Sequence, residues 1–350
     1  MPPAPQYPPT PAEGGVSVIF ITRGRRELLK ACLESLAAAG PVLEILAGID
    51  GEDPASARLL GDYSRRCPLR PVQLPRSCRG EARGALAATA RGRWLCFIDD
   101  DTELPPGYFR RLAALIAAHP GAAVFGGGQE LHRAAGYFES AVYALLASPW
   151  GGGPFTSRFR PASGTAPAGP EKFILCNLTM DGAFLRERGL SFEGHLTSAE
   201  ENLLLNRMAA AGAGMLLSGE LNLVHRRRSE PAAFVRQVFG SGRGRGQITV
   251  LSPKGFSAFT LIPAGALCGA ALAAFAAPAL LGAAAGAYAL ACAASAALSP
   301  ARAAVKPAVA ALYPALHGAY ALGWLAGVIE GLFEKLSGRP RPRRCRCETP

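Results

Sequence analysis

Residues 255–301 contain no aspartate, glutamate, lysine or arginine, and this uncharged run limits the possible folds more than any other feature of the sequence. A helix needs about 20 apolar residues to cross the hydrocarbon core of a bilayer, so the run is long enough for two crossings. Pro278 and Gly282 lie near its middle and predict a turn between two helices. The alternative is a buried helical hairpin in a soluble protein.

A second uncharged run, 307–329, is long enough for one more crossing. Tyr313, Tyr320 and Trp324 are the kind of residues that anchor a helix at the membrane interface. Both runs are rich in alanine and glycine, which lets helices pack closely. We therefore predict a membrane region of two or three helices at 248–332, followed by a basic tail at 333–350.

Basic residues flank the first uncharged run on both sides: Arg243, Arg245, Lys254, Arg302 and Lys306. Because positively charged flanks stay on the cytoplasmic side, we expect a multi-pass protein of the cell inner membrane whose preceding domain faces the cytoplasm. A third full crossing would export the arginine-rich tail, so the sequence leaves open whether 307–329 crosses or lies in the interface.

Two further segments are rich in proline or glycine. Residues 1–15 have neither a basic n-region nor an apolar h-region, which predicts a disordered tail and no signal peptide. The segment SPWGGGPFTSR at 148–158 predicts either backbone that can approach a sugar or lipid phosphate, or a flexible loop. The formal net charge of +11 favours anionic partners such as nucleotides, phosphates and anionic lipids, and no motif for nucleic acid is present.

Between residues 16 and 119, apolar runs typical of strands alternate with segments of helical periodicity. Strands are predicted at 16–21, 43–50, 71–75 and 94–98, and helices at 26–40, 80–92 and 106–119. This alternation is typical of an α/β fold in which helices cover both faces of a mostly parallel sheet. Ligands of such sheets bind beyond the carboxyl ends of the strands.

Three aspartates, Asp99, Asp100 and Asp101, directly follow the strand predicted at 94–98. In an extended chain, the side chains of Asp99 and Asp101 would point to one side and that of Asp100 to the other. A hard divalent cation, Mg²⁺ or Mn²⁺, would relieve the repulsion between two carboxylates and keep positions open for phosphate oxygens. A turn capped by these residues before Pro105 is the structural alternative.

Several blocks of the sequence, taken in order, resemble inverting family 2 glycosyltransferases with a GT-A fold. They read SVIFITRGRRELLKACLESL, IDGED, RGEARGALAATARGRWLCFIDDD and CNLTMDGAFLRERGLSFEGHLTSAEENLLLNRM. The resemblance is closest to the membrane-bound exopolysaccharide (succinoglycan-type) subgroup, which also carries a block like RQVFGSGRGRGQ at 236–247. It implies a GT-A domain at 16–247, with a mostly parallel nucleotide-binding sheet flanked by helices and followed by C-terminal transmembrane helices.

The resemblance also implies a nucleotide-sugar site at the carboxyl edge of this sheet. Carried over by position, the donor-binding residues are Thr22, Arg23, Asp50, Arg83, Asp99 and Asp100. Asp101 would bind the divalent metal. His225 would reach the metal or the diphosphate, or else belong to a basic rim that faces the membrane. Arginines can bind phosphate through two hydrogen bonds and carboxylates can accept from a base or ribose, although Arg23 and Arg83 could also be solvated surface charges and Asp50 a turn residue.

The general base implied by the resemblance lies in the block TSAEENLLLNRM. The family pattern is an acidic pair, usually Glu-Asp, with an arginine seven residues after the first acid; here these are Glu200, Glu201 and Arg207. Glu201 takes the place of the base with one methylene more than aspartate, and placement at that scale affects the rate. Ser198 with Glu201, and Thr197 with Glu200, also have the spacing of a capping box. The acceptor or diphosphate side would comprise Glu200, Arg207, Gln237 and Arg243.

From these features we predict a membrane-anchored glycosyltransferase of the hexosyltransferase type. It would move a sugar with inversion from a nucleotide-sugar donor to a lipid-linked or glycan acceptor, in polysaccharide or cell-envelope glycan synthesis. One alternative is a nucleotidyltransferase that forms nucleotide sugars. Such enzymes have a phosphate-binding loop after the first strand, and TRGRR at 22–26 resembles that loop weakly. The other is a catalytically degenerate membrane scaffold.

Overall fold

The computed structural model describes residues 14–194, 196, 198–252 and 258–337. Its strands are β1 (Val16–Thr22), β2 (Glu44–Asp50), β3 (Leu69–Leu74), β4 (Trp94–Ile98), β5 (Thr102–Glu103), β6 (Ala122–Gly126), β7 (Gln129–Glu130), β8 (Thr165–Pro167), β9 (Asn177–Asp181), β10 (Gly214–Ser218) and β11 (Leu223–His225). Its α-helices are α1 (Arg26–Ala39), α2 (Pro54–Tyr63), α3 (Arg79–Thr89), α4 (Tyr108–Ala118), α5 (Tyr137–Leu146), α6 (Pro149–Gly152), α7 (Gly182–Glu187), α8 (Glu200–Ala210), α9 (Pro231–Leu251), α10 (Ile262–Ala276), α11 (Pro278–Leu298) and α12 (Lys306–Ser337).

The central sheet has the strand order β3-β2-β1-β4-β9-β6-β10-β8. Strands β1 to β4 are mutually parallel, as are β6 and β10, whereas β9 runs antiparallel to both β4 and β6. Side chains alternate along β1, so Val18 and Phe20 join one apolar core while Ile19 joins the core on the opposite face. The predicted mostly parallel sheet with helices on both faces is confirmed.

Parallel pairing brings the carboxyl ends of β1, β2 and β4 to one edge of the sheet. Beside that edge lies a small sheet of order β5-β11-β7, in which His225 is paired with Thr102. This pairing sets the histidine next to the three aspartates, although more than a hundred residues separate them along the chain.

The expectation that the aspartates continue an extended strand is wrong. Strand β4 ends at Ile98, and the Thr102 N–H donates to the Asp99 carbonyl at 3.2 Å, which closes a turn. The side chains of Asp99 to Asp101 therefore do not alternate. For 148–158, the alternative of a flexible loop is wrong as well, because α6 and a 3₁₀ helix, Gly153–Phe159, occupy the segment.

Within the part of the chain that the structure describes, three helical segments are long and apolar enough to cross a membrane: Ala258–Ala276, Pro278–Leu298 and Ala303–Ser337, with mean hydropathies of 1.9, 1.6 and 1.2. Large apolar side chains point outward from the first two, Phe275 being 91% exposed and Leu290 73%. The predicted turn at Pro278 is confirmed, since α10 ends at Ala276 and α11 begins at Pro278. Gly282 is not part of the turn, because it lies within α11.

Helix α9 runs through the predicted domain boundary at 247/248 and packs against α12 with the two backbones in close contact. A Cβ atom added at Gly246 would lie 2.2 Å from the Trp324 carbonyl oxygen, and one at Gly327 would lie 2.0 Å from the Arg243 carbonyl oxygen. Glycines at four-residue spacing allow this approach. On its other side α9 meets the turn before α8, where a Cβ at Gly244 would lie 2.3 Å from the Ser198 carbonyl oxygen.

Candidate active site

Asp100 and Asp101 both form an ion pair with the side chain of Arg25. The guanidinium of Arg25, just before α1, binds the Asp100 carboxylate through Nη2 and the Asp101 carboxylate through Nη1. The Thr22 hydroxyl donates to the other oxygen of Asp100 at 2.7 Å. Asp100 is fully buried and Asp101 nearly so. The positive charge of Arg25 therefore offsets the like-charge repulsion within the aspartate triplet.

The two carboxyls differ in their affinity for a proton. Burial raises the pKa of Asp100 to about 7, and the charge of Asp101 adds to this while Arg25 opposes it. Burial also acts to raise the pKa of Asp101, yet His225 and Arg25 hold it well below its usual value. Asp101 is thus the more strongly ionised of the pair and the better candidate for a metal ligand.

The residues around His225 could hold a divalent cation. Its Nε2 lies 3.1 Å from Asp101 Oδ1, and its Nδ1 lies 2.7 Å from Gln129 Oε1 and 3.5 Å from Cys176 Sγ. Neighbouring ligands of an octahedral ion with bonds of about 2.1 Å are about 3 Å apart, which fits the Asp101–His225 spacing. Ligand atoms of Asp99, Cys176 and His225 also lie within 4.8 Å of one another.

The donor set bears on the choice of metal. Mg²⁺ prefers oxygen ligands alone, whereas an imidazole and a thiol beside carboxylates suit a softer ion. Of the two ions expected from the sequence, Mn²⁺ fits these residues better.

Arg83 joins two parts of the sequence in one site. Its Nη2 donates to Asp99 Oδ1 at 3.1 Å, and its Nη1 binds Glu200 Oε1 at the start of α8. Arg83 and Glu200 are both buried. Arg83 is therefore not a solvated surface charge, and the aspartate triplet and the glutamate pair face the same space.

Of Glu200 and Glu201, Glu201 is the one that forms no ion pair with a described residue. Its Oε1 accepts a hydrogen bond from Asn202 Nδ2 at 2.7 Å. Burial raises the pKa of Glu201, and the neighbouring charge of Glu200 raises it further, while Arg158 and Arg83 act in the opposite direction. A carboxylate whose pKa is raised in this way is a better proton acceptor.

The capping box suggested by Ser198 and Glu201 is wrong. The N-cap residue of α8 is Ala199, which has a φ of 63° and makes no side-chain cap bond. The Ser198 hydroxyl instead donates to the Gly240 carbonyl of α9 at 2.7 Å. Thr197, of the other candidate box, lies outside the described residues. A left-handed backbone at a residue other than glycine is strained, and such strain is common at functional sites.

At the end of β2, Asp50 takes part in a second polar group. Asp50 Oδ1 accepts from the Ser77 N–H at 3.1 Å, and its other oxygen lies 3.6 Å from Arg23 Nη1. Both residues thus lie at the edge where Thr22 and Asp100 lie, in the part of the site expected to receive the base.

Three of the residues expected on the acceptor or diphosphate side make no contact with the aspartates or with Arg83 among the described residues. Arg207 binds Glu193, and Gln237 is exposed on α9. Arg243 makes two hydrogen bonds of 2.8 Å to Glu330 of α12. The guanidinium of Arg243 therefore links two helices and is not directed at the aspartates.

Sequence reasoning missed Arg25, Gln129 and Cys176. Arg25 closely follows β1, and β1 is the parallel neighbour of β4. The proximity of Arg25 to the aspartates could therefore have been predicted from the sequence. Gln129 and Cys176 have no local signal, because their place near His225 depends on the pairing of β7 with β11 and of β9 with β4 and β6.

Comparison with known proteins agrees with this geometry. Residues 17–133 match the model of the family described as "Glycosyl transferase family 2". The matched region contains the edge residues from Thr22 to Asp101 but not the glutamate pair. No curated protein matches the chain.

Two solved structures that resemble the chain in fold have low sequence identity to it. The mannosyltransferase PcManGT from Pyrobaculum calidifontis, in complex with GDP-Man and Mn²⁺, is 18% identical with a TM-score of 0.53, over 94% of this chain and 90% of that one. S. aureus TarS 1–349, in complex with UDP-GlcNAc, is 16% identical with a TM-score of 0.52, over 93% of each chain. The chain spans 42% of the length of a longer TarS structure. The shared fold and the family match together support a glycosyltransferase family 2 domain of GT-A fold.

Proposed function

We propose that the protein is a membrane-anchored, inverting glycosyltransferase of the exopolysaccharide type. It transfers a hexosyl group from a nucleotide sugar to a lipid-linked or glycan acceptor. The observation that carries this proposal is the double contact of Arg83 with Asp99 and Glu200, since it joins the expected donor side and the glutamate next to the expected base in one site. The nucleotide-sugar complexes of the two structural neighbours are consistent with such a donor.

The donor lies along the carboxyl edge of the sheet. Asp50 and Arg23 meet the base, Asp99 accepts from the ribose, and Thr22 holds Asp100 in place beside them. Asp101 and His225 would hold the divalent metal, preferably Mn²⁺. When bound, the ion supplies positive charge that stabilises the departing diphosphate.

Glu201 removes a proton from the acceptor hydroxyl as that oxygen attacks the anomeric carbon. A single displacement from the face opposite the leaving group inverts the configuration. Glu200 is held by Arg83 and positions the start of α8, while Asn202 orients the Glu201 carboxylate. The raised pKa of Glu201 keeps the base strong enough for this proton transfer.

The catalytic domain at 16–247 faces the cytoplasm, and the helices of 248–332 hold it to the membrane. Exposed Gln237 of α9 remains available to an acceptor, and Arg207 positions the loop that carries Glu193. Attachment to the membrane brings the site close to acceptors that are carried on lipids.

The test is sugar transfer in membranes that contain the wild type, Asp101→Asn or the matched control Asp62→Asn, an exposed aspartate of α2. Radiolabelled nucleotide sugars serve as donors, and both the labelled product and the released nucleotide are identified. We expect Asp101→Asn to lower transfer by about 100-fold, Asp62→Asn to leave it unchanged, and nucleoside diphosphate to be released. Release of pyrophosphate would indicate a nucleotidyltransferase, and absence of donor binding would indicate a scaffold.

A further inference from the structure

Every carboxylate oxygen of Asp100 and Asp101 already has a partner within the protein. The Thr22 hydroxyl donates to Asp100 Oδ2 at 2.7 Å, and Arg25 Nη2 binds Asp100 Oδ1. His225 Nε2 lies 3.1 Å from Asp101 Oδ1, and Arg25 Nη1 binds Asp101 Oδ2. A divalent cation that enters at Asp101 therefore meets a carboxylate that is already bound to a guanidinium.

The guanidinium of Arg25 lies where it opposes a metal ion. It binds one oxygen of Asp101, and the position that fits a metal lies at the other oxygen, beside His225. The Asp101 side chain is only 8% exposed, so water screens charges weakly there. Two cations on one buried carboxylate repel each other. Arg25 therefore lowers the affinity of the free site for a divalent ion.

The side chain of Arg25 is more accessible than the two carboxylates that it binds. It is 29% exposed, whereas Asp100 and Asp101 are buried. Arg25 belongs to the short connection between β1 and α1, at the carboxyl edge of the sheet. The proposed function places the diphosphate of the donor at this edge, and a guanidinium binds phosphate oxygens through two parallel hydrogen bonds. A diphosphate can therefore take the guanidinium over from the aspartates.

Arg83 shows why this exchange belongs to Arg25 and not to every arginine of the site. The Arg83 side chain is 10% exposed and binds both Asp99 and the buried Glu200. If a ligand drew Arg83 away, the carboxylate of Glu200 would be left buried without its partner, which is strongly unfavourable. When Arg25 leaves Asp101, the incoming metal ion replaces its positive charge at the same carboxylate.

On these grounds, and resting on the proposed function, we propose that Arg25 makes metal binding depend on the donor. Without a donor, the guanidinium of Arg25 competes with the divalent ion for Asp101. A bound diphosphate adds negative charge and draws the guanidinium away, so that the affinity for the ion rises. Metal and donor then raise the affinity for each other by the same factor, as linkage requires.

The experiment measures equilibrium binding of Mn²⁺ to the full chain in neutral detergent micelles, with free Mn²⁺ followed by electron paramagnetic resonance. The matched control for Arg25→Gln is Arg26→Gln, which removes an exposed charge from the next residue. Without nucleotide, we expect Arg25→Gln to bind Mn²⁺ about tenfold more tightly than the wild type, because a neighbouring charge changes the proton affinity of a carboxylate by about 10- to 1000-fold. Arg25→Lys keeps the charge but not the fork that binds both carboxylates, so its affinity should lie between these two. Arg26→Gln should stay within twofold of the wild type.

A second measurement does not depend on the folding of any variant. The affinity of the wild type for UDP and for GDP is compared in the presence of Mn²⁺ and in the presence of EDTA. We expect Mn²⁺ to strengthen nucleotide binding, and to do so by a factor about tenfold larger in the wild type than in Arg25→Gln. The difference arises because the variant has no guanidinium to displace from Asp101.

A gain in metal affinity separates this role of Arg25 from a purely structural one, because loss of a structural support would weaken the metal site. The inference is overturned if Arg25→Gln binds Mn²⁺ no more tightly than the wild type, or if Mn²⁺ leaves nucleotide binding by the wild type unchanged. Asp101→Asn tests the proposed function separately. Loss of Mn²⁺ binding in that variant supports the proposed metal ligand whatever Arg25→Gln does, and retained binding contradicts it.

Discussion

Replacing Gly327 by alanine tests the close packing of α9 on α12. A Cβ atom there would lie 2.0 Å from the Arg243 carbonyl oxygen, and ordinary contact begins at 3.4 Å, so the helices must separate by 3.4 − 2.0 = 1.4 Å. The opposing atom belongs to the main chain, and no side-chain rotation can relieve the overlap. Overpacking of this kind costs up to about 3 kcal/mol, and the better helix propensity of alanine returns about 1 kcal/mol. We expect a net loss of about 2 kcal/mol.

The matched control is Gly318→Ala in the same helix, where an added Cβ atom meets nothing within 4 Å. Helix propensity alone acts there, so about 1 kcal/mol of stabilisation is expected. Denaturant unfolding in detergent micelles, followed by circular dichroism, measures both variants. Sugar transfer should fall in Gly327→Ala only, because α9 also supports Ser198 before α8. Shifts of the same sign and size in both variants would refute the reasoning.

Two further predictions concern the polar site. Arg25→Gln removes the cation shared by Asp100 and Asp101 and should destabilise the protein by about 3 kcal/mol. Added Mn²⁺ should raise the midpoint of thermal unfolding more in this variant than in the wild type. An equal rise in both proteins would contradict the role of Arg25 as the shared cation. The pKa of Glu201 is raised, and a general base must be deprotonated to act. We therefore expect kcat/KM to reach its maximum at high pH and to decline as the pH falls through a value above the ordinary glutamate pKa of about 4.3. A decline centred at or below that value would contradict the assignment of Glu201 as the base.

Local patterns were sufficient to predict four neighbouring strands of the central sheet, β1 to β4, but not the other four. The strand at 94–98 and the helix that follows β1 depend on apolar runs and spacing within a few residues, and the structure has them at nearly the same bounds. The arrangement of Asp99, Asp100 and Asp101 could not be derived in this way. It depends on where β4 stops and on Arg25, which reaches the acids only because β1 and β4 pair.

The membrane-proximal glycines show the same limit. Their block, at 236–247, suggested a role near the acceptor, but Gly242 and Gly246 instead permit α9 to approach α12. The four-residue spacing of Gly323, Gly327 and Gly331 was a signal for this packing. The partner helix could not be read from the sequence, because the contact joins segments about 80 residues apart. The sequence places Arg243 on the acceptor side for the same reason, because no local pattern indicates its hydrogen bonds to Glu330.

The rate of sugar transfer by Glu201→Gln at saturating donor tests the central claim most directly. Glutamine keeps the shape of the side chain and can still bond Asn202, yet it cannot take a proton. We predict a loss of about 10²- to 10⁴-fold with donor affinity unchanged. A rate within twofold of the wild type would contradict it, since the site would then work without the base on which the mechanism depends.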